Sequence, residues 1–336
     1  MTAEILSTHT PALFQVAVQR AAHLLRVGEV VALPTETVYG LAANARDEKA
    51  IAKIFQIKGR PANNPIIVHV ADVEMAKRCV ADWPAAAEKL AKAFWPGPLT
   101  LVVPRAKEIP DGVTAGGATV GVRWPGHPLI QAVIRECAFP LAAPSANLSG
   151  RISPTNAGHV RKELGGKISL IIDGGQAQVG IESTVLDLTE SPPAILRPGV
   201  IHAESLAAVV GQVQNLKGGA QIGTLLRSPG LLKKHYAPRA GLWVLKWKDG
   251  ADLKSQLTAR QVSPALCHVI AHTRIPSDVG LANVCVIPHD AEAFARAIYG
   301  ELHRSDEAGA KWIVVEAPPD SPEWSAVADR LQRAAA

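Results

Sequence analysis

Short apolar runs, many of them rich in β-branched residues, alternate along this chain with segments that have the apolar spacing of helices. The run 30–33 enters Pro34 directly, for example, and follows a segment 11–27 whose apolar residues recur at helical intervals. Such a run is typical of a strand buried on both faces of a sheet. The alternation therefore predicts an α/β protein.

The pattern predicts the following elements. Strands are expected at 30–33, 66–70, 99–103, 119–123, 141–143, 170–173, 184–188 and 195–197, with helices at 11–27, 47–57, 72–94 (interrupted at Pro84), 127–137, 155–164 and 204–213. After residue 241 strands are expected at 242–247, 266–271, 284–287 and 312–315, with helices at 252–260, 290–304 and 322–334. This simple alternation predicts a small parallel α/β domain at the end of the chain.

Residues 214–241 separate these two regions. They lack strong periodicity and contain Gly218-Gly219, Ser228-Pro229-Gly230 and Pro238, which are signals of loop structure. A length of 336 residues is also enough for two domains. We therefore predict a domain at 1–216, a linker at 217–241 and a second domain at 242–336.

Composition and charge exclude several classes of protein. Hydrophobic residues make up 48% and charged residues 19%, so a packed core is expected and long disorder is not. No apolar stretch is long enough to span a bilayer, and the N-terminal residues do not resemble a signal peptide. The four cysteines are scattered, which favours a reducing cytoplasm over a disulfide scaffold.

The net charge of +5 is concentrated in the predicted linker. Residues 217–240 contain five basic residues and no acidic one. A protein that coats nucleic acid would instead carry its basic residues over a broad surface.

Common cofactor and metal motifs are missing from the sequence. There is no G-x-G-x-x-G, and the glycine spacing at 175–180 is followed by Ile181 where a phosphate-binding loop needs lysine. His268 and His272 are four residues apart, but on a strand this spacing makes them neighbours on one face rather than a helical ligand pair. No metal site is predicted.

Polar clusters follow three of the predicted strands. These are the segments 34–40 and 144–150, and Arg123 with Trp124-Pro125-Gly126. Strand ends in open α/β sheets line ligand crevices. Each cluster alone is more typical of turns than of a binding site, but three together favour a binding site.

Lys58-Gly59-Arg60-Pro61 places two cations in a stiff turn. Either this is a solvated basic turn, or the two side chains hold an anion such as a phosphate. His69 follows in a strand, where a half-buried structural role is the alternative to a functional one. Without a Ser/His/Asp or Cys/His pattern, these cations, hydroxyls and amides suit a reaction in which bound substrates attack each other.

These residues carry a resemblance to a known family. The segments that carry it are Pro34-Thr-Glu-Thr-Val-Tyr-Gly, Lys58-Gly-Arg60-Pro, Ser145-x-Asn147 and Ile181-Glu-Ser183-Thr-Val. They resemble the YrdC-domain family, and most closely its long, two-domain threonylcarbamoyl-AMP synthases. Ser228-Pro229-Gly230 through Pro238 is similar to the element that joins the two domains in that form.

The resemblance implies a YrdC-like open, twisted sheet with a large concave, cationic groove. It implies a smaller, Rossmann-like parallel second domain and a basic linker that closes over the groove. The implied reaction makes threonylcarbamoyl-adenylate and pyrophosphate from L-threonine, bicarbonate or CO2, and ATP, with Mg2+. The product would pass to a separate tRNA threonylcarbamoyl transferase that makes N6-threonylcarbamoyladenosine, with at most a weak tRNA contact and no membrane.

The resemblance also assigns residues by motif position. Lys58 and Arg60 would be catalytic and contact both substrates. Threonine would contact Thr35, His69, Arg123 and Ser183, and ATP would contact Thr119, Ala143, Ser145, Asn147, Arg151, Arg197 and Tyr236.

Three other functions can be weighed against this one. A non-catalytic RNA-binding module could use the cationic groove, but aromatic residues make up only 4% of the chain, so stacking platforms are scarce. A carbamoyl-transferring hydrogenase-maturation enzyme would need zinc-finger cysteine pairs. A P-loop ATPase would need the missing phosphate-binding loop.

Overall fold

The computed structural model describes residues 2–215, 227–230 and 234–336. These residues form two compact units, one within Met1–Ser149 and Ser153–Leu232 and the other within Gly150–Ile152 and Lys233–Ala336. The predicted linker falls partly outside the description, because 217–226 and 231–233 are not covered. Of its described residues, 227–230 belong to the first unit and 234–241 to the second.

The first unit contains eleven strands and eight helices within the described residues. The strands are β1 (Glu4–Ser7), β2 (Val31–Leu33), β3 (Gly40–Asn44), β4 (Val68–His69), β5 (Leu99–Pro104), β6 (Thr119–Arg123), β7 (Leu141–Ala142), β8 (Leu170–Asp173), β9 (Thr184–Asp187), β10 (Ala194–Arg197) and β11 (Gln214–Asn215). The helices are α1 (Pro11–Arg26), α2 (Glu48–Lys58), α3 (Val73–Lys77), α4 (Ala85–Phe94), α5 (Asp111–Thr114), α6 (Pro128–Cys137), α7 (Ala157–Leu164) and α8 (Ala203–Val210).

All eleven strands form one mixed sheet in the order β1-β8-β2-β3-β7-β4-β6-β5-β9-β10-β11. The pairs β4–β6 and β5–β9 are parallel, whereas β7–β4 and β5–β6 are antiparallel. The α/β prediction is confirmed. The pattern misses β3, whose sequence G-L-A-A-N has no β-branched or aromatic residue.

The predicted strand 66–70 is shorter in the structure. Only Val68 and His69 are in β4, because the Ile66 backbone N–H donates to the Val113 carbonyl instead of to a strand. Three further elements were not predicted, namely β1, β11 and the short helix α5, for which the sequence shows no strong apolar period.

Alternate residues of the central strands point to opposite faces of the sheet. One face is apolar and belongs to the main core, which includes Val68, Leu101, Val103, Val122 and Leu186. The opposite face carries the polar side chains described in the next subsection. Period-two alternation within single strands thus separates the core from the candidate site.

The second unit holds a smaller sheet. Its strands are β12 (Gly241–Leu245), β13 (Cys267–Ala271), β14 (Asn283–Val286) and β15 (Trp312–Glu316), and its helices are α9 (Gly250–Ala259), α10 (Ala291–Glu307) and α11 (Ser325–Ala334). The sheet order is β12-β15-β13-β14, and all three pairs are parallel. The prediction of a small parallel α/β domain is therefore confirmed.

Residues 150–152 join the second unit rather than the first. Arg151 forms a parallel bridge with Ala237, whose backbone N–H donates to the Gly150 carbonyl. Within the described residues, no helix is both long enough and apolar enough to cross a bilayer.

Gly199 provides a test of the packing beside β9. A Cβ atom at this position would lie 2.3 Å from the Thr184 backbone nitrogen, whereas a Cβ at Gly166 would meet nothing within 4 Å. We expect Gly199→Ala to lower the free energy of unfolding by about 3 kcal/mol, because backbone cannot move aside as a flexible side chain can. Chemical denaturation of the full chain measures this effect.

Gly166→Ala is the matched control. Its free energy of unfolding should stay within about 1 kcal/mol of the unsubstituted protein. Equal stability of the two variants would contradict the close approach of residue 199 to β9.

Candidate active site

The polar face of the large sheet collects predicted site residues from the strands β4, β6, β9 and β10. Strand pairing places residues on this face because paired residues point to the same side. The pairs His69–Arg123 (β4–β6), Val102–Gly121 (β5–β6), Thr100–Val185 (β5–β9) and Val185–Arg197 (β9–β10) define it. Thr119 and Ser183 follow at two-residue spacing along β6 and just before β9.

His69 and Arg123 lie side by side at the ends of β4 and β6. The Arg123 guanidinium lies 2.7 Å from the Glu36 carboxylate and donates to the Gly97 carbonyl at 3.2 Å. Both charged side chains are largely buried, with Arg123 4% and Glu36 13% exposed. The Glu36 contact also holds the loop 34–39 against β6.

His69 is a neutral imidazole in this setting. Burial, together with the neighbouring Arg123 charge, lowers its pKa from 6.5 to about 3. Among the described residues, none forms a hydrogen bond with its Nδ1 atom. A buried ring nitrogen with this free capacity on a polar face suits contact with a ligand.

Ser183 stands between two polar neighbours. Its hydroxyl lies 2.8 Å from the Thr100 hydroxyl and accepts from the Arg197 guanidinium at 3.1 Å. Arg197 also donates to the Ser183 carbonyl and to the Pro229 carbonyl. Arg197 thus links β9 and β10 to the Ser228-Pro229-Gly230 segment.

Lys58 is the last residue of α2, which ends because Gly59 adopts a left-handed conformation. Its ammonium group donates to the carbonyls of Ser145 and Asn147, each at 2.5 Å. Burial lowers the pKa of Lys58 well below its usual value, and Arg60 lowers it further, whereas Glu163 acts in the opposite direction. The three N–H donors and the surrounding oxygens fit the ammonium form.

Arg60 holds the turn that follows α2. Its Nε donates to the Asn64 carbonyl at 3.0 Å, and its Nη2 donates to the Asn64 side chain at 2.7 Å and the Pro65 carbonyl at 2.6 Å. The side chain is buried. Lys58 and Arg60 are therefore built into the fold, and the alternative of a solvated basic turn is wrong.

Thr35 also has a structural role. Its hydroxyl donates to the Val38 carbonyl at 2.6 Å and accepts from the backbone N–H groups of Thr37 and Val38. These bonds fold the loop between β2 and β3. Nearby, Ser145 forms an antiparallel bridge with Gly40, and the Ala143 N–H donates to the Ile67 carbonyl.

A cavity of about 480 Å3 opens on the polar face. Thr100, Thr119 and Gly121 line its floor, and Ser228 and Pro229 form part of its wall. A Cβ at position 121 would lie 3.1 Å from Thr100 Cγ2, so the glycine keeps the floor open. This volume falls within the range of small-molecule sites.

Two predicted ATP contacts, Arg151 and Tyr236, belong to the second unit. Tyr236 is buried there beside His235, stacks on Tyr299 at 5.9 Å between ring centroids, and lies under the Arg330 guanidinium. Their assignment to ATP is still a prediction.

Protein ligands for a divalent cation are sparse in the described residues. They contain no group of three or more His, Cys, Asp or Glu side chains that could hold a metal ion. Glu190 lines the cavity, but it and Asp187 are paired with Arg227. Mg2+ would fit here only as an ion carried largely by phosphate oxygens.

Family models and similar proteins agree with this architecture. Residues 23–199 match a model described as "Telomere recombination", which covers the YrdC-type domain, and residues 201–336 match the C-terminal domain of threonylcarbamoyl-AMP synthase. The threonylcarbamoyl-AMP synthase of Pyrococcus abyssi is 40% identical over 94% of this chain and 92% of its own length. That of Bacillus subtilis is 41% identical over 98% and 94%.

This chain belongs to the threonylcarbamoyl-AMP synthase family. The crystal structure of P. abyssi Sua5 in complex with L-threonine superposes with a TM-score of 0.90 at 37% identity, covering 100% of this chain and 98% of the other. The resemblance drawn from the four motifs is thereby confirmed.

Two residues that contact predicted site residues were not predicted from the sequence. Glu36 pairs with Arg123, and Thr100 contacts Ser183. Glu36 lies inside a motif that was already singled out, and a lone carboxylate among hydroxyl residues was the available signal. For Thr100 the only sequence signal was its place in the alternating pattern of β5. That pattern does not distinguish a threonine of the site from any other strand threonine.

The shifted pKa of His69 predicts how the stability of this family member depends on pH. The folded protein keeps His69 neutral down to about pH 3, whereas the unfolded chain takes up a proton near pH 6.5. The contribution of His69 to the free energy of unfolding is therefore fully present above pH 6.5. It is lost as the pH falls below 6.5, by up to about 1.4 kcal/mol per pH unit.

We expect His69→Gln to have a shallower loss of unfolding free energy between pH 6.5 and 4 than the unsubstituted protein. Urea denaturation at a series of pH values measures the slope. His23→Gln, at an exposed position on α1, is the control and should retain the original slope. Identical slopes for all three proteins would show that His69 is not held neutral.

Proposed function

We propose that this chain makes threonylcarbamoyl-adenylate and pyrophosphate from L-threonine, bicarbonate or CO2, and ATP. The observation that carries the proposal is the agreement in fold, over the full length of both chains, with the L-threonine complex of P. abyssi Sua5. Of the predicted site residues, Thr119 lines the cavity on the polar face. The buried cations Arg123, Arg197, Lys58 and Arg60 lie in the same unit and supply the positive charge that anionic substrates need.

The reaction joins two anions. The threonine amine adds to CO2, or to bicarbonate with loss of water, and loses a proton to give a carbamate. A carbamate oxygen then attacks the α-phosphorus of ATP, and the bond to the β-phosphate oxygen breaks to release pyrophosphate. Positive charge fixed in place before the reaction lowers the cost of bringing these groups together.

The buried cations suit this task. Lys58 and Arg60 would contact both substrates and stabilise the charge that develops at the α-phosphate. Arg123 would hold the threonine carboxylate, with Ser183, Thr35 and neutral His69 beside it.

The remaining residues are predicted contacts of ATP. They are Thr119, Ala143, Ser145, Asn147, Arg197, Arg151 and Tyr236. Mg2+ would be held by the phosphates of ATP and would help to offset their charge.

The product would serve a separate transferase that modifies a tRNA adenosine, and we place this activity in the cytoplasm. An RNA-binding module gains no support. Lys58, Arg60, Arg123 and Arg197 are buried, whereas cations that track an RNA backbone need to be exposed to its phosphates.

Pyrophosphate release from ATP tests the activity. With Mg2+ present, we expect release only when L-threonine and bicarbonate are both added, because the carbamate is the attacking group. Mass spectrometry should find threonylcarbamoyl-adenylate among the products. Release without threonine would indicate simple ATP hydrolysis, and no release under any condition would overturn the proposal.

Lys58→Met tests the role of the buried ammonium group. We expect pyrophosphate release to fall at least 100-fold, because removal of one preorganised charge from a transition state costs about 3 kcal/mol or more. Lys53→Met is the matched control, since Lys53 lies on the same helix but pairs with Glu29 at the surface. It should keep activity within twofold.

A folding defect could mimic this loss, since Lys58 also holds the Ser145 and Asn147 carbonyls. Arg60→Lys helps to separate a loss of folding from a loss of catalysis. It keeps a positive charge but removes the planar guanidinium group that donates to the Asn64 side chain. We expect a folded protein, by circular dichroism, whose release rate is reduced at least tenfold. Near-original rates in both folded variants would refute the assignment.

A further inference from the structure

The carboxyl end of the small parallel sheet contains a cavity of about 500 Å3 that the proposed reaction does not use. Lys246, Lys248, His272, Arg274, His289 and Glu316 are among its lining residues. All of them belong to the second unit. Ligands of open parallel sheets bind at this edge, outside the carboxyl ends of the strands.

The order of the strands places a crevice at this point. Neighbouring strands β13 and β15 are parallel. The chain leaves β13 toward β14 at one edge of the sheet, and leaves β15 toward α11, which packs against β12 at the other edge. The connections that follow β13 and β15 run toward opposite edges of the sheet, so they leave a crevice at the carboxyl ends of these two strands. Open α/β sheets bind ligands in such a crevice.

Glu316 organises the loop beside this crevice. Its carboxylate accepts backbone N–H groups from His272 at 2.8 Å, Thr273 at 2.9 Å and Arg274 at 3.1 Å. Burial alone would raise the pKa of Glu316, but these N–H bonds outweigh it and lower the pKa. The carboxylate is therefore a fixed internal anion whose hydrogen-bonding capacity is directed at the loop.

Three cationic side chains surround the opening. Lys246 and Lys248 follow β12, and Arg274 ends the loop that Glu316 holds. The Arg274 guanidinium donates to the Lys248 carbonyl at 3.2 Å, so it joins the two loops. Asp252 is the second carboxylate in the lining, and it accepts a hydrogen bond from the Lys248 backbone N–H at 2.8 Å.

An aromatic group supports the other side of the cavity. The rings of His272 and His289 stack, and their Nδ1 atoms are 2.8 Å apart. Trp324 and Phe294 pack against His272. This wall is stiff, and it contributes imidazole N–H and Thr273 hydroxyl groups beside the cations.

We propose that this cavity binds a small organic phosphate. Three permanent cations at the opening match a phosphate dianion better than a single carboxylate, which one guanidinium satisfies. The volume exceeds that of a bare phosphate and falls in the range of small-molecule sites, so an organic portion would lie against the histidine wall. Salt should weaken binding, because the cations are exposed.

The experiment follows the indole N–H of Trp247, which donates to the Arg274 carbonyl inside the cavity at 2.7 Å. The full chain is titrated separately with ribose 5-phosphate and inorganic phosphate at constant ionic strength, and the signal is read by nuclear magnetic resonance. We expect a saturable shift of this signal with both probes, at least tenfold tighter for ribose 5-phosphate. A local probe keeps the result separate from any phosphate binding in the first unit.

The variant Lys248→Met/Arg274→Met should weaken binding of ribose 5-phosphate at least tenfold. Lys311→Met is the matched control, because Lys311 precedes β15 and so lies at the amino end of the same sheet; it should bind as the unsubstituted protein does. No saturable shift, or equal affinity in the double and control variants, would overturn the proposal. Equal affinity for ribose 5-phosphate and inorganic phosphate would overturn the proposal that the cavity also binds the organic part of the ligand.

Pyrophosphate release separates this proposal from the proposed synthase function. The double variant should release pyrophosphate at the original rate. If the unsubstituted protein released no pyrophosphate but still showed the Trp247 shift, the proposed synthase function would be refuted. The proposed phosphate site in the second unit would stand.

Discussion

Burial of positive charge is the constraint on which the first unit depends. A cation removed from water costs several kcal/mol unless other groups compensate it. Lys58, Arg60 and Arg197 donate to carbonyl, amide or hydroxyl oxygens of their own fold, and Arg123 is paired with Glu36. Neutral oxygens accept hydrogen bonds from the cationic side chains without cancelling their positive charge. The resulting electrostatic field still attracts anions.

The same constraint explains the neutral histidine and the local architecture. A protonated His69 beside Arg123 would add a second buried cation, and its lowered pKa reflects that cost. The loops also depend on these cations, since Lys58 holds the segment after β7 and Arg197 holds the segment at Pro229. Groups suited to contact substrate are therefore also groups that hold the loops of the first unit in place.

Much of this could be predicted from the sequence, because alternation and turn residues are local signals. The strands that carry His69 and Arg123, the helix that ends at Lys58 and the whole second sheet were found in this way. Glu36 and Thr100 were not, because their importance comes from partners 87 and 83 positions away in the chain. Strand β3 was missed because its burial is set by its neighbours β2 and β7 rather than by its own residues.

The two sheets also show why similar side chains have different consequences in different places. In the first unit the cations are buried and hydrogen-bonded in advance, so little reorganisation is needed when charge develops, which favours catalysis. In the second unit Lys246, Lys248 and Arg274 are exposed, and the fixed charge beneath them is the carboxylate of Glu316. Exposed cations beside a loop held by Glu316 favour reversible binding, because solvent screens their charge. Preorganisation, rather than the number of cations, therefore distinguishes the candidate catalytic face from the candidate binding cavity.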